Sequence, residues 1–273
     1  MSDFKNISVN SDIKKSHTIQ SYFYTNNHFF NLSVDKIFND SWQYIVNKES
    51  IINIGQYPFF YLKETINEPL VLIQNKNILY CLSNVCTHRG NIICNKIKKT
   101  EKLLKCGYHG RLFNISGKFK SMPGFRDVEN FPSESDNLKK LPLLNWNNFI
   151  FTSLNQSKNI SYDFFNQMNK NLDWYPFNKL KYCSQSSNEY IINSHWAIYC
   201  ENYLEGFHVP YVHDGLNDNI EFSKYKTELF ENGVLQTAYS ESKEKLFSNI
   251  KCCPKLMCDI YALYYWFFPN IMF

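Results

Sequence analysis

The chain has 273 residues, 44% hydrophobic and 17% aromatic, with 29 basic against 25 acidic side chains and a formal net charge of +4. That length allows one large or two ordinary domains with real cores. The near balance of charge, with no basic block longer than Lys96-Ile97-Lys98-Lys99, gives no nucleic-acid footprint, and 9 Gly and 9 Pro are too few for a largely disordered chain. Residues 1–37 are polar apart from an aromatic patch at Tyr22, Phe23, Tyr24, Phe29 and Phe30, which predicts an N-terminal arm or short helix. The first fifteen residues lack the apolar core and small-residue cleavage site of a secretory signal, so a cytoplasmic protein is expected.

From Ser41 to about Leu154 the pattern is short and strand-like. Tyr44-Ile45-Val46, Phe59 to Leu62, Leu70 to Ile73 and Ile78 to Leu82 are β-branched or aromatic runs, and Gln74-Asn75-Lys76-Asn77 reads as a hairpin turn. Gly107, Gly110 and Gly117 punctuate a second hairpin-rich stretch, and Asn148 to Leu154 supplies a closing strand. Tyr162 to Leu172 then reads as a helix with Asp163 in its first turn. A second helix is predicted from Trp196 to His208, where Trp196, Tyr199, Cys200, Tyr203, Leu204 and Phe207 make an apolar stripe. Strand-like runs return after about residue 225. The most apolar of them, Ile260 to Phe273, is broken by Pro269 and Asn270 and falls short of the roughly 20 residues a spanning helix needs, so no membrane is expected. The predicted organisation is an arm (1–37), an all-β module (38–156) and an α+β domain (157–273).

Nine cysteines (81, 86, 94, 106, 183, 200, 252, 253 and 258) form no regular disulfide framework. Two have histidine partners: Cys86-Thr87-His88-Arg89-Gly90 and Cys106-Gly107-Tyr108-His109-Gly110, with seventeen residues between His88 and Cys106. Structural zinc does use two Cys and two His, usually as a paired Cys motif followed by a paired His motif. Here each loop gives one of each, which suits a two-iron cluster with both thiolates on one iron and both imidazoles on the other. Cys81 and Cys94 lack such partners and read as buried thiols.

On the second predicted helix, Glu201, Glu205 and His208 fall at i, i+4 and i+7 beside Asn202, either a solvated face or a ligand face. Pro210 ends a helix, so His213 follows a bend. On an unbroken helix His208 and His213 would lie about 140° apart; a break lets them converge, the start of a two-His, one-carboxylate iron(II) site.

Together Cys-Thr-His-Arg-Gly, Cys-Gly-Tyr-His-Gly and the run Asn202-Tyr-Leu-Glu205-Gly-Phe-His208-Val-Pro-Tyr-Val-His213 resemble the Rieske non-heme iron ring-hydroxylating oxygenase α subunits. Asn91 and Gly107 stand where the respiratory Rieske proteins usually carry a disulfide, which favours the oxygenase branch. The resemblance implies an α+β protein: an all-β Rieske domain followed by part of a helix-grip-like catalytic domain. It implies a [2Fe–2S] cluster on Cys86, His88, Cys106 and His109, whose reduction is coupled to proton uptake on a histidine, and a mononuclear Fe(II) on His208 and His213. Arg89 and Tyr108 would tune and cover the cluster or simply pack its loops. Glu205 would link His109 of one subunit to His208 of the next in a homotrimer, with Asn202 beside it; the family more often has Asp at this place. A ferredoxin or flavin reductase would donate electrons, and O2 would hydroxylate or demethylate a small organic substrate.

The family's carboxylate ligand comes much later, on a helix with no counterpart after His213, and Tyr264-Tyr265-Trp266-Phe267-Phe268-Pro269-Asn270 resembles a mid-domain strand. The expectation is a C-terminally truncated oxygenase chain; an alternative is a non-catalytic Rieske electron-transfer protein or inactive fragment. The motifs look most like the choline, betaine and carnitine monooxygenase-like branch. Its quaternary amines would want an aromatic cage, although the many Tyr and Phe also serve as core.

Overall fold

The computed structural model describes residues 7–52, 54–99, 101–156, 163–240 and 259–273. Cys252, Cys253, Cys258 and Tyr162 lie outside the described residues. The described residues divide into two units, one drawn from 39–160 and 176–187, the other from 1–38, 161–175 and 188–273. The N-terminal arm thus belongs to the second unit.

Two short helices open the chain, α1 (Tyr22–Thr25) and α2 (Asn27–Ser33), followed by a π-helical stretch Val34–Phe38. Asn26 caps α2 by accepting the His28 N–H at 2.8 Å.

The β unit contains β1 (Gln43–Asn47), the single turn α3 (Lys48–Ile51), β2 (Gln56–Tyr61), β3 (Glu68–Asn75), β4 (Ile78–Ser83), β5 (Leu103–Lys105), β6 (Leu112–Asn114), β7 (Phe119–Ser121), β8 (Lys140–Leu141), β9 (Leu143–Trp146) and β10 (Phe149–Thr152). They form three antiparallel sheets, ordered β1-β10-β9, β2-β3-β4-β8 and β5-β6-β7. Strand β3 explains the arrangement. Its run Leu70-Val71-Leu72-Ile73 is fully buried because alternate side chains enter different cores. Val71 and Ile73 join Leu82, Phe113 and Leu138, whereas Leu70 and Leu72 join Tyr61, Cys81 and Ile150. The first core also contains Cys86 and Cys106, so the loops ride on its edge. The expected hairpin closes at Lys76-Asn77, with Asn75 opposite Ile78 and Lys76 at φ 53°.

The second unit continues with α4 (Asp163–Asn171), α5 (Trp196–Tyr203), α6 (Val209–Val212) and α7 (Asp214–Asn217), then one antiparallel sheet of β11 (Lys226–Phe230), β12 (Gly233–Tyr239), β13 (Ile260–Phe267) and β14 (Ile271–Met272) in that order. The helix predicted through His208 stops at Tyr203. Gly206 passes so close to Tyr225 that a Cβ there would lie 3.1 Å from the ring, a path that α5 does not follow. Pro210 does not end a helix; it sits in the first turn of α6, where a missing N–H costs nothing. The predicted stripe shifts accordingly: Ala197 and Cys200 are buried, while Tyr199 and Phe207 are 54% and 79% exposed. At its start, α5 is held by the arm. The Tyr24 hydroxyl donates to Glu201 Oε1 at 2.6 Å, and the rings of Phe23, Tyr24 and Phe30 surround His195. Among the described residues no helix is long and apolar enough to cross a membrane.

Candidate metal centres

The two Cys/His loops have the same backbone despite unequal Cys-to-His spacing. Cys86 N–H donates to Asn91 O at 2.9 Å and Gly90 N–H to Cys86 O at 3.0 Å. The second loop repeats this, Cys106 N–H to Arg111 O at 2.9 Å and Gly110 N–H to Cys106 O at 3.1 Å. Gly90 and Gly110 close the turns at φ 69° and 71°, a region that favours glycine. The loops bring His88 Nδ1 and His109 Nδ1 to 3.1 Å, while both thiols stay in the core. Tyr108 lies over the His109 ring at 3.9 Å between centroids and is 62% exposed, so it covers the imidazole.

Electrostatics act on Cys86, Cys106 and His88 in different ways. Burial pushes the Cys86 thiol up, and the neighbouring Cys106 adds to this. Cys106 is also raised by burial, but hydrogen bonds from Tyr108, Cys86, His109 and Asn91 outweigh it and leave the thiol below its ordinary value. Partial burial, then His109, Arg89 and Arg111, hold His88 below its usual value and favour the neutral imidazole a metal takes.

In the second unit, the broken helix places Asn202 at the end of α5, Glu205 in the connecting turn, His208 at the start of α6 and His213 at its end. The His208 and His213 rings lie edge to face, 5.1 Å between centroids, and line a cavity of about 200 Å³ with Asn202, Glu205, Tyr225 and Tyr264. His208 Nδ1 donates to Glu205 Oε1 at 2.5 Å, which leaves the His208 Nε2 lone pair free for a metal. Glu205 Oε2 accepts the Phe207 N–H at 2.5 Å. Burial pushes the Glu205 carboxyl up, but these hydrogen bonds outweigh it and hold the group below its ordinary range.

A family model described as the Rieske [2Fe-2S] domain matches residues 41–132. Residues 41–132 are a Rieske domain. The chain is related to Rieske monooxygenase subunits: it is 28% identical over 234 residues to choline monooxygenase of Beta vulgaris, covering 83% of this chain and 51% of that protein. It is 26% identical over 235 residues to the carnitine monooxygenase oxygenase subunit of Acinetobacter pittii, covering 84% and 62%. The fold is that of the quaternary ammonium Rieske monooxygenase CntA, with TM-score 0.70, 22% identity and coverage of 92% of this chain and 66% of that one. Naphthalene 1,2-dioxygenase matches at TM-score 0.62 and 17% identity. The chain thus spans 51–62% of the length of these two curated relatives.

The donor set fits a Rieske cluster. Among the described residues no three His, Cys, Asp or Glu side chains converge on one metal position. A closed zinc site needs four ligands at one ion, whereas each cluster iron needs only two from the protein. His208 and His213 likewise have no third His, Cys, Asp or Glu converging with them among the described residues. Of the acids after His213, Glu221 pairs with Lys224 at 2.7 Å and Glu228 with Lys226 at 3.1 Å.

Sequence reasoning missed the polar groups that brace the chain around these sites. Asn84 is buried and bonds Cys94 twice, through Nδ2 to the carbonyl at 2.6 Å and Oδ1 from the N–H at 2.8 Å. Behind the second site, Tyr225 Oη donates to Gln236 Oε1 at 3.0 Å and Gln236 Nε2 to Tyr203 O at 2.7 Å. Arg111 is buried at 2% exposure beside the second loop. An arginine entering the apolar run Leu112-Phe113 was the available signal for it.

Proposed function

We propose that this chain works as the oxygenase subunit of a Rieske-type oxygenase acting on a small organic substrate, with a quaternary amine as the favoured class. The supporting observation is the adjacent pair His208 and His213 in a tyrosine-lined cavity, with Glu205 on Nδ1 of His208. Both relatives' names concern choline or carnitine, and Tyr225 and Tyr264 offer π-faces that attract a quaternary cation.

Bound iron(II) would supply the activation of O2. Glu205 fixes the His208 ring and its tautomer. Gln236 holds the Tyr225 hydroxyl and the backbone carbonyl of Tyr203 against the cavity. The cluster is assigned to residues 38–156 and the iron to the part from 157 onward. His109 Nδ1 is turned toward His88, so a cluster iron bound there would leave Nε2–H as a donor, and the ionised Glu205 is an acceptor. This complementarity supports a Glu205 bridge to His109 of a neighbouring subunit in a cytoplasmic homotrimer. A ferredoxin or flavin reductase supplies the electrons.

A second reading, electron transfer without oxygenation, is favoured by the missing third ligand among the described residues. Metal analysis and EPR decide. The oxygenase reading expects a reduced [2Fe–2S] signal of low average g and one further iron per chain that binds nitric oxide. His208→Ala should abolish hydroxylation and leave the Rieske signal intact. Loss of both together overturns the two-site assignment, and no nitric-oxide-binding iron leaves electron transfer.

A further inference from the structure

A third segment, which donates no ligand, joins the two cluster loops. Asp136 closes a 3-10 turn, Glu134–Asp136. Its backbone carbonyl accepts the Thr87 hydroxyl at 2.8 Å, from between Cys86 and His88. The same carbonyl accepts Arg111 Nη2 at 3.3 Å, from the residue that closes the second loop. Arg111 Nη2 also meets Asp136 Oδ1 at 2.5 Å. The other carboxylate oxygen is held by the Ser133 N–H at 2.8 Å and hydroxyl at 3.0 Å.

A cation this deeply buried needs compensation. The guanidinium carbon lies 4.8 Å from the Phe119 ring centroid, 5.5 Å from that of Phe131 and 5.7 Å from that of Phe113. Asp136 meets only one edge of the fork, and Arg111 Nε has no hydrogen-bond partner. The positive charge is therefore only partly offset, and it sits two residues from a cluster ligand.

We propose that Arg111 is a positioning residue whose buried charge, metered by Asp136, sets the reduction potential of the Rieske cluster. The inference rests on the cluster assignment. One-electron reduction adds one negative charge to the cluster, and a fixed cation nearby favours that reduced state. Removing the cation lowers the potential; removing its carboxylate partner raises it. Simple loosening of the loops would not give opposite signs.

The test is a dithionite-mediated redox titration, followed by EPR, on the full chain carrying its cluster. Arg111→Met is expected to shift the midpoint downward, Asp136→Asn upward, and Arg111→Lys, which keeps the charge, to stay near wild type. Unshifted midpoints, or shifts of one sign in Arg111→Met and Asp136→Asn, overturn the proposal. If Arg111→Met does not retain the cluster, the other two variants decide: an upward shift in Asp136→Asn with Arg111→Lys near wild type supports it, and any other pattern overturns it. A wild-type chain without a reduced [2Fe–2S] signal overturns the cluster assignment and this proposal together. A wild-type signal with unshifted variants overturns this proposal alone.

Discussion

Gly206 is the point where a single carbon matters most to the second centre. A Cβ would lie 3.1 Å from the Tyr225 ring, which cannot retreat freely because its hydroxyl is held by the buried Gln236. Gly206→Ala should destabilise the chain by about 1–3 kcal/mol through overpacking and weaken iron binding at His208 and His213; thermal unfolding and iron titration check both. At this scale the approach of His88 to His109 and of His208 to His213 was legible, because metal binding restricts residue type as well as spacing. Arg111 and Asp136 were not, because a pairing across 25 positions exists only after the sheets have formed.

Among elements, the turn at Glu134–Asp136 carries a pH dependence. Burial raises the Asp136 carboxyl, but the Ser133 N–H and Arg111 outweigh it, so the group lies below its ordinary value when folded. Its contribution is full above the unfolded carboxylate range, near pH ~4, and is lost as pH falls through the lower folded value. Asp136→Asn should cost about 3 kcal/mol at neutral pH by leaving Arg111 unpaired. Urea midpoints of wild type and variant should converge as pH falls toward ~3; a constant gap would refute this. The hairpins were readable in the sequence because their alternation and turn residues are local. The break after Tyr203 was not, since it depends on Gly206 meeting Tyr225, nineteen residues later.

Across the molecule, each unit carries a buried cluster of its own among the described residues, and the β unit's cluster around Val71, Ile73 and Phe113 contains the proposed cluster thiols Cys86 and Cys106. A ligand that binds only the folded state raises that state's stability. Loading the cluster should therefore raise one calorimetric transition and leave the other in place; a uniform rise would show a single cooperative unit. The strands of the β module were legible, but the place of 176–187 in that unit and of the arm in the second unit were not, because they involve distant contacts, Asn148 Nδ2 to Leu180 O across 32 positions and Tyr24 to Glu201 across 177. The matched cluster loops carry a different lesson. Their pairs of backbone hydrogen bonds have the same register, although one histidine stands two residues after its cysteine and the other three. The turn is a standard part with two seats for an imidazole, so ligand position can be redesigned without rebuilding the frame that presents it.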